Sequence, residues 1–201
     1  MKTKLYLISP PKIEDNFFEK LEIALKTGKV PVFQLRLKGY KDEEIIQIGK
    51  KLLNLCHQYK TLFILNDSHD LALKIGADGV HVGSEDGNVE KIRQKSPKNF
   101  VIGVSCYDSK HAAVEAIEMG ADYVSFGAFF ISKTKNSKGK PTIEILKWAS
   151  EILNVPIVAI GGINAANVKT LSDNGADFVA VISDIWDNPK GIRQAIDDLL
   201  H

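Results

Sequence analysis

The chain has 201 residues, 44% of them hydrophobic and 25% charged, which is enough apolar material for the core of one compact domain. Its 26 basic side chains nearly balance 25 acidic ones, leaving a net charge of +1 and excluding a broad field for holding nucleic acid or an anionic membrane. No apolar run approaches the roughly 20 residues of a membrane span. The start of the chain offers only four consecutive apolar-type residues before Ser9-Pro10-Pro11, too few for a secretion signal, so a cytoplasmic setting is expected. Cys56 and Cys106 have no metal-ligand spacing and are expected to be free buried thiols, with a catalytic thiol at Cys106 as the lesser alternative.

In chain order, short apolar runs alternate with helical patterns. Strand-like runs fall at residues 5–8, 32–36, 62–66, 79–82, 101–105, 123–126, 156–160 and 178–182. Helical patterns occupy 16–26, 42–59, 70–75, 88–94, 109–119, 142–153, 165–174 and 189–200. Leu21 with Leu25, and Ile45, Ile48, Leu52 and Leu55, show the three-and-four spacing of one buried helix face. An internal echo punctuates the alternation: Gly76-Ala77-Asp78, Gly120-Ala121-Asp122 and Gly175-Ala176-Asp177 each close a helical pattern and open an apolar run. Glycine suits the left-handed backbone of a helix end, and Ala-Asp makes a tight entry to a buried strand. Strict βα alternation of this length predicts an α/β fold, a (β/α)₈ TIM barrel forming a single domain over residues 1–201. An open, doubly wound sheet is the alternative.

Functional residues are expected where the C-terminal ends of the strands converge. Gln34, Arg36 and Lys38 alternate at the end of the second run and so face one way, with a guanidinium fork and a point charge suited to a diphosphate. Asn66-Asp67 ends the third run and Ser84-Glu85-Asp86 follows the fourth. Carboxylates from neighbouring strand ends can share Mg²⁺, although Asp67 and Asp86 could equally cap helices. His81 lies within the fourth run and reads as packed core more readily than as a catalyst. Ser105 ends the fifth run, Ile160-Gly161-Gly162-Ile163 the seventh and Val181-Ile182-Ser183 the eighth; glycines there let backbone N–H groups meet a phosphate. The polar segment 132–140, with lysines at 133, 135, 138 and 140, reads as a lid that is mobile when empty.

These residues, in this order, resemble the thiamine phosphate synthase family. The likeness rests on Gln34-Leu35-Arg36-Leu37-Lys38, Leu65-Asn66-Asp67, Gly79-Val80-His81-Val82-Gly83, Glu85-Asp86, Gly103-Val104-Ser105, Ser132-Lys133-Thr134-Lys135, Gly161-Gly162 and Ile182-Ser183. It implies condensation of a hydroxymethylpyrimidine diphosphate with a thiazole phosphate, giving thiamine monophosphate and pyrophosphate. It further implies that Gln34, Arg36, Lys38, Asn66, Ser105 and Lys135 hold the pyrimidine diphosphate, with Arg36, Lys38 and Lys135 assisting its ionisation. Ser132, Thr134, Gly162, Ile182 and Ser183 would receive the thiazole phosphate, and Asp67 and Asp86 would bind Mg²⁺. The partners implied are small phosphorylated molecules, with no nucleic acid or membrane; a homo-oligomer is left open.

Several positions depart from the family pattern. Leu37 stands where the family often has Glu, Ser68 where Arg is common, Ser84 where Gln is common, and Ser132 replaces the more usual Thr. Gly87-Asn88 replaces a Leu-Pro, and Asp184 occupies a position where a small residue is common. Two other readings stay open: a thiazole tautomerase-like relative, against which Asp67, Asp86, Thr134 and Lys135 argue, and a non-catalytic ligand-binding module that has kept the pocket.

Overall fold

The computed structural model describes residues 3–83, 88–131 and 139–201. Its strands are β1 (Lys4–Ile8), β2 (Val32–Leu35), β3 (Leu62–Asn66), β4 (Gly79–Gly83), β5 (Val101–Tyr107), β6 (Tyr123–Gly127), β7 (Ile157–Ile160) and β8 (Phe178–Val181). They pair in parallel, each with the next, and β8 returns to β1, which closes the barrel and removes the open-sheet alternative. The surrounding helices are α1 (Phe17–Leu25), α2 (Asp42–Gln58), α3 (His69–Ile75), α4 (Val89–Lys95), α5 (Lys110–Glu118), α6 (Glu144–Ile152), α7 (Val168–Ser172), α8 (Ser183–Trp186) and α9 (Ile192–Leu199).

The two-residue period of a strand sorts its side chains between two cores. Leu5, Leu7, Phe33, Leu35 and Phe63 face outward into the layer between barrel and helices. Tyr6, Ile8, Val32, Ile64, Tyr123, Val158 and Ala180 face inward and fill the bore. Gln34 shares the parity of Val32 and is buried with them. A Cβ on Gly103 would stand 1.9 Å from Cζ of Tyr123, so this glycine in β5 makes the space in which the ring on neighbouring β6 lies.

The repeated Gly-Ala-Asp junction has a specific job at the opposite end of the barrel. Gly76, Gly120 and Gly175 all have positive φ, and the aspartate that follows grips the base of the preceding strand. Asp78 accepts from the N–H of Phe63 at 2.7 Å and donates its own N–H to that residue's carbonyl at 3.0 Å. Asp122 treats Ile102 in the same way, with both bonds at 2.7 Å, and Asp177 treats Ile157 likewise, at 2.8 and 3.0 Å. Each carboxylate thereby satisfies an N–H at the start of a strand, that of the second residue in β3 and β5 and of the first in β7.

The expected boundaries shift at the C-terminal ends of the strands. β2 stops at Leu35 rather than at residue 36, because Arg36 donates its N–H to Oγ of Ser9 at 2.9 Å instead of continuing the ladder. β5 runs on to Tyr107 through a register shift after Ser105. The last helical pattern also begins later than residue 189: the short helix α8 follows β8 directly, and α9 starts at Ile192. Indole Nε1 of Trp186, in α8, donates to the carbonyl of Ile8 at 2.6 Å and ties the loop after β8 to the end of β1.

Candidate active site

A cavity of about 720 Å³ opens at the C-terminal ends of the strands. It is lined by nine of the predicted site residues: Gln34, Arg36, Lys38, Asn66, Asp67, Ser105, Gly162, Ile182 and Ser183. Asp86, Ser132, Thr134 and Lys135 lie outside the described residues, as does most of the expected lid.

Local backbone contacts explain why the cationic group faces this way. Ser9, buried after β1, holds the peptide of Arg36, and the N–H of Lys38 donates to the carbonyl of Pro11 at 3.0 Å. The segment after β2 is thus laid against Ser9-Pro10-Pro11, and Arg36 and Lys38 keep the inward parity of Gln34. Nζ of Lys38 reaches Oδ2 of Asp67 at 2.9 Å.

Asp67 has φ +68°, and its N–H donates to the carbonyl of His81 at 2.8 Å, which turns the chain at the end of β3. The capping role considered for Asp67 belongs to Ser68, whose Oγ accepts from the N–H of Leu71 at 3.3 Å. Asn88 likewise caps α4, its Oδ1 accepting from the N–H of Lys91 at 2.9 Å. The Asp67 carboxylate is therefore a hard oxygen donor at the cavity rim, paired with Lys38. Mg²⁺ commonly takes one or two carboxylates and completes its shell with water and phosphate oxygens, so this donor fits it. Among the described residues no group of three or more His, Cys, Asp or Glu side chains forms a metal cage.

The opposite wall is made by β7 and β8. Gly161 and Gly162 have φ +106° and +62°, and a Cβ on Gly162 would come within 2.4 Å of the carbonyl oxygen of Ile131. The glycines are thus required by the chain leaving β6, whose Phe129 and Phe130 N–H groups donate to the carbonyls of Ile160 and Gly161, each at 3.1 Å. Packing alone thus demands a glycine at residue 162, whatever it offers to a phosphate. Ser183 opens α8 and lines the cavity; the first N–H groups of a helix have no partner within it. Asp184 lines the same rim; burial, then the charge of Asp198, raises its carboxyl above the ordinary aspartate range.

The floor of the cavity contains what sequence reasoning missed. His81 is not packed core but lies on the wall, with Nδ1 2.8 Å from the hydroxyl of Tyr123 and Nε2 2.8 Å from Oγ of Ser105. Tyr123 contacts the hydroxyl of Tyr6 at 2.7 Å, and Tyr6 accepts from Nε2 of Gln34 at 3.0 Å. The available signal was parity: Tyr6 and Tyr123 share the inward register with Gln34 and His81. Cys106 points the other way into the outer core, and burial pushes its thiol up to about 12, which removes the catalytic-thiol alternative.

Fold and mouth together define a (β/α)₈ barrel with a polar, cation-bearing cavity at the C-terminal ends of its strands. The family model described as thiamine monophosphate synthase matches residues 5–185. The thiamine-phosphate synthase of Erythrobacter litoralis is 44% identical, with 92% of this chain and 88% of that protein covered. That of Pyrococcus abyssi is 37% identical, with 98% and 93% covered. The solved thiamine phosphate pyrophosphorylase from Pyrococcus furiosus superposes with a TM-score of 0.84 at 36% identity, covering 99% of this chain and 94% of that one. A 3-hexulose-6-phosphate synthase structure, at 16% identity and a TM-score of 0.68, shares the fold alone. The chain belongs to the thiamine monophosphate synthase family.

Proposed function

We propose that the chain performs the family's condensation in this cavity, with the pyrimidine diphosphate on the β2–β5 side and the thiazole phosphate on the β7–β8 side. The observation that carries this division is the separation of the cationic side chains from the glycine and serine positions. Arg36 and Lys38 stand after β2, whereas Gly162, Ile182 and Ser183 stand after β7 and β8.

The reaction breaks the bond between the pyrimidine methylene carbon and the diphosphate oxygen and forms one to the thiazole nitrogen. Pyrophosphate departs with the electron pair, and the electron-rich pyrimidine ring stabilises the methylene cation. Little acid–base machinery is needed; neutralised leaving-group charge and a positioned nucleophile suffice. Arg36 and Lys38 would take the diphosphate, joined by Lys135 from the lid segment, while Gln34, Asn66 and Ser105 orient the ring. Asp67 and Asp86 would hold Mg²⁺, which when bound supplies further positive charge to the diphosphate. Lys38 must then leave Asp67 and turn to the diphosphate, an exchange between two exposed partners that costs about 1 kcal/mol or less. Ser132, Thr134, Gly162, Ile182 and Ser183 would receive the thiazole phosphate. No helix among the described residues is long and apolar enough to cross a membrane, and we place the enzyme in the cytoplasm.

Purified protein supplied with both substrates and Mg²⁺ is expected to form thiamine monophosphate and pyrophosphate in equal amounts. Tight binding of either substrate without release of pyrophosphate would instead identify a non-catalytic binder. Conversion of the thiazole alone would point to a tautomerase.

A further inference from the structure

The floor of the cavity is spanned by one continuous hydrogen-bonded chain of side chains. It runs from Gln34 on β2 to Tyr6 on β1, across the bore to Tyr123 on β6, then to His81 on β4 and Ser105 on β5, with links of 3.0, 2.7, 2.8 and 2.8 Å. Oγ of Ser125 lies 3.5 Å beyond Ser105. Gln34, Tyr6 and Tyr123 are 2%, 3% and 6% exposed, so their polar groups depend on one another rather than on water. The rings of His81 and Tyr123 are stacked with centroids 5.5 Å apart, and Gly103 leaves the space that Tyr123 fills.

Hydrogen counting gives this chain a direction. Each neutral tyrosine supplies one hydrogen and a neutral imidazole supplies one. With Nε2 of Gln34 donating to Tyr6, Tyr6 must donate to Tyr123 and Tyr123 to Nδ1 of His81. With a neutral imidazole, His81 would then carry its proton on Nε2 and donate to Ser105. Burial raises both tyrosine hydroxyls, which keeps them neutral and able to donate. In this sense Oε1 of Gln34 and the hydroxyl hydrogen of Ser105 are what the chain leaves over for a ligand. Turning the Gln34 amide reverses every link, and with them the ligand-facing groups at both ends.

We propose that Tyr6, Tyr123 and His81 are a positioning relay that couples the donor–acceptor sense of Gln34 to that of Ser105, so the cavity reads the hydrogen-bonding edge of the bound ring as one unit. The specificity part rests on the pyrimidine lying in this cavity, whereas the relay itself does not. An aminopyrimidine offers an amino donor to Oε1 of Gln34, and its ring nitrogens are acceptors matched to a donating Ser105. A 4-oxo analogue inverts that edge and must reverse the whole chain or lose its bonds.

The test uses Tyr6→Phe, which removes a hydroxyl that does not touch His81, with Tyr123→Phe as the direct break. Imidazole ¹⁵N resonances of the ligand-free protein report the His81 tautomer. Wild type is expected to show one protonated Nε2, and Tyr6→Phe a mixture of tautomers. Calorimetric titration with the aminopyrimidine alcohol and its 4-oxo analogue measures discrimination, which is expected to fall about tenfold in Tyr6→Phe, the equivalent of one hydrogen bond. KM for the thiazole phosphate should stay within about twofold, a split that general loosening of the barrel would not produce. If Tyr123→Phe does not fold, Tyr6→Phe carries the test alone. Unchanged His81 resonances together with unchanged discrimination in Tyr6→Phe would overturn the relay. A wild-type protein that made no thiamine monophosphate would refute the functional reading while leaving the His81 result to decide the relay independently.

Discussion

Asp67→Asn separates the folding role of this residue from its chemical role. The backbone at residue 67 has φ +68°, a region that asparagine tolerates nearly as well as aspartate, so the turn after β3 should survive. The only ion pair lost is with Lys38; both side chains are about half exposed, at 51% and 45%, and such pairs are worth roughly 0–1 kcal/mol. Unfolding in denaturant should therefore move by no more than about 1 kcal/mol. Turnover should fall far more. Asp67 would act by holding Mg²⁺, and loss of one source of charge stabilisation in the transition state typically costs about 3–4 kcal/mol, or a factor of about 10²–10³ in kcat. KM for the pyrimidine diphosphate should not rise in proportion, because Lys38, freed from Asp67, remains available to the phosphates. Steady-state kinetics across a Mg²⁺ titration, beside a denaturant curve, measures both quantities. Wild-type kcat with an unshifted Mg²⁺ requirement would refute the metal assignment, and a loss of several kcal/mol in stability would refute the separation of roles.

Three other outcomes are expected. Asp177→Ala leaves the N–H of Ile157 without its acceptor at the far end of the barrel, so it should lower stability by about 1–3 kcal/mol while kcat stays unchanged, as thermal melts and turnover assays would reveal. Cys56 and Cys106 are fully buried, with thiols raised to about 12, so iodoacetamide at neutral pH should leave the folded protein active and label both only after denaturant is added. Gly162→Ala should raise KM for the thiazole phosphate and also lower the melting temperature, because a Cβ there meets the carbonyl of Ile131; raised KM at an unaltered melting temperature would leave phosphate contact as its sole function.

How much was legible in the chain depended on whether a local rule controls the feature. The βα alternation and the Gly-Ala-Asp junctions are local, and both describe the barrel correctly from residue order alone. Period-two parity placed Arg36 and Lys38 in the cavity even though β2 ends at Leu35, because Ser9 and Pro11 hold the continuing chain on the same course. The tyrosine–histidine chain was not legible, since its members lie up to 117 residues apart and meet only when the barrel closes. His81 was underrated for that reason: a histidine in an apolar strand reads as core until its partners across the bore are known. The choice between cap and ligand at Asp67 also needed coordinates, because Ser68 could take the capping role only if the helix began at His69.

Gly161-Gly162 exposes a dependence between substrate binding and packing that no motif carries. Two successive positive φ values bend the chain after β7, and the space where Cβ atoms would stand is occupied by residues 128–131. The strand end that would offer backbone N–H groups to a phosphate is therefore the surface on which the chain from β6 rests. That chain leads in sequence from Ile131 into Ser132, Thr134 and Lys135, which the proposal divides between the two substrates. A displacement at Gly162 would shift the root of that segment as well as the phosphate seat. On the proposed assignment, binding on the β7–β8 side and neutralisation of the diphosphate by Lys135 would be linked through the contacts of Gly161 and Gly162 with residues 128–131, and a variant at Gly162 should impair both where a variant at Ser183 impairs only the first.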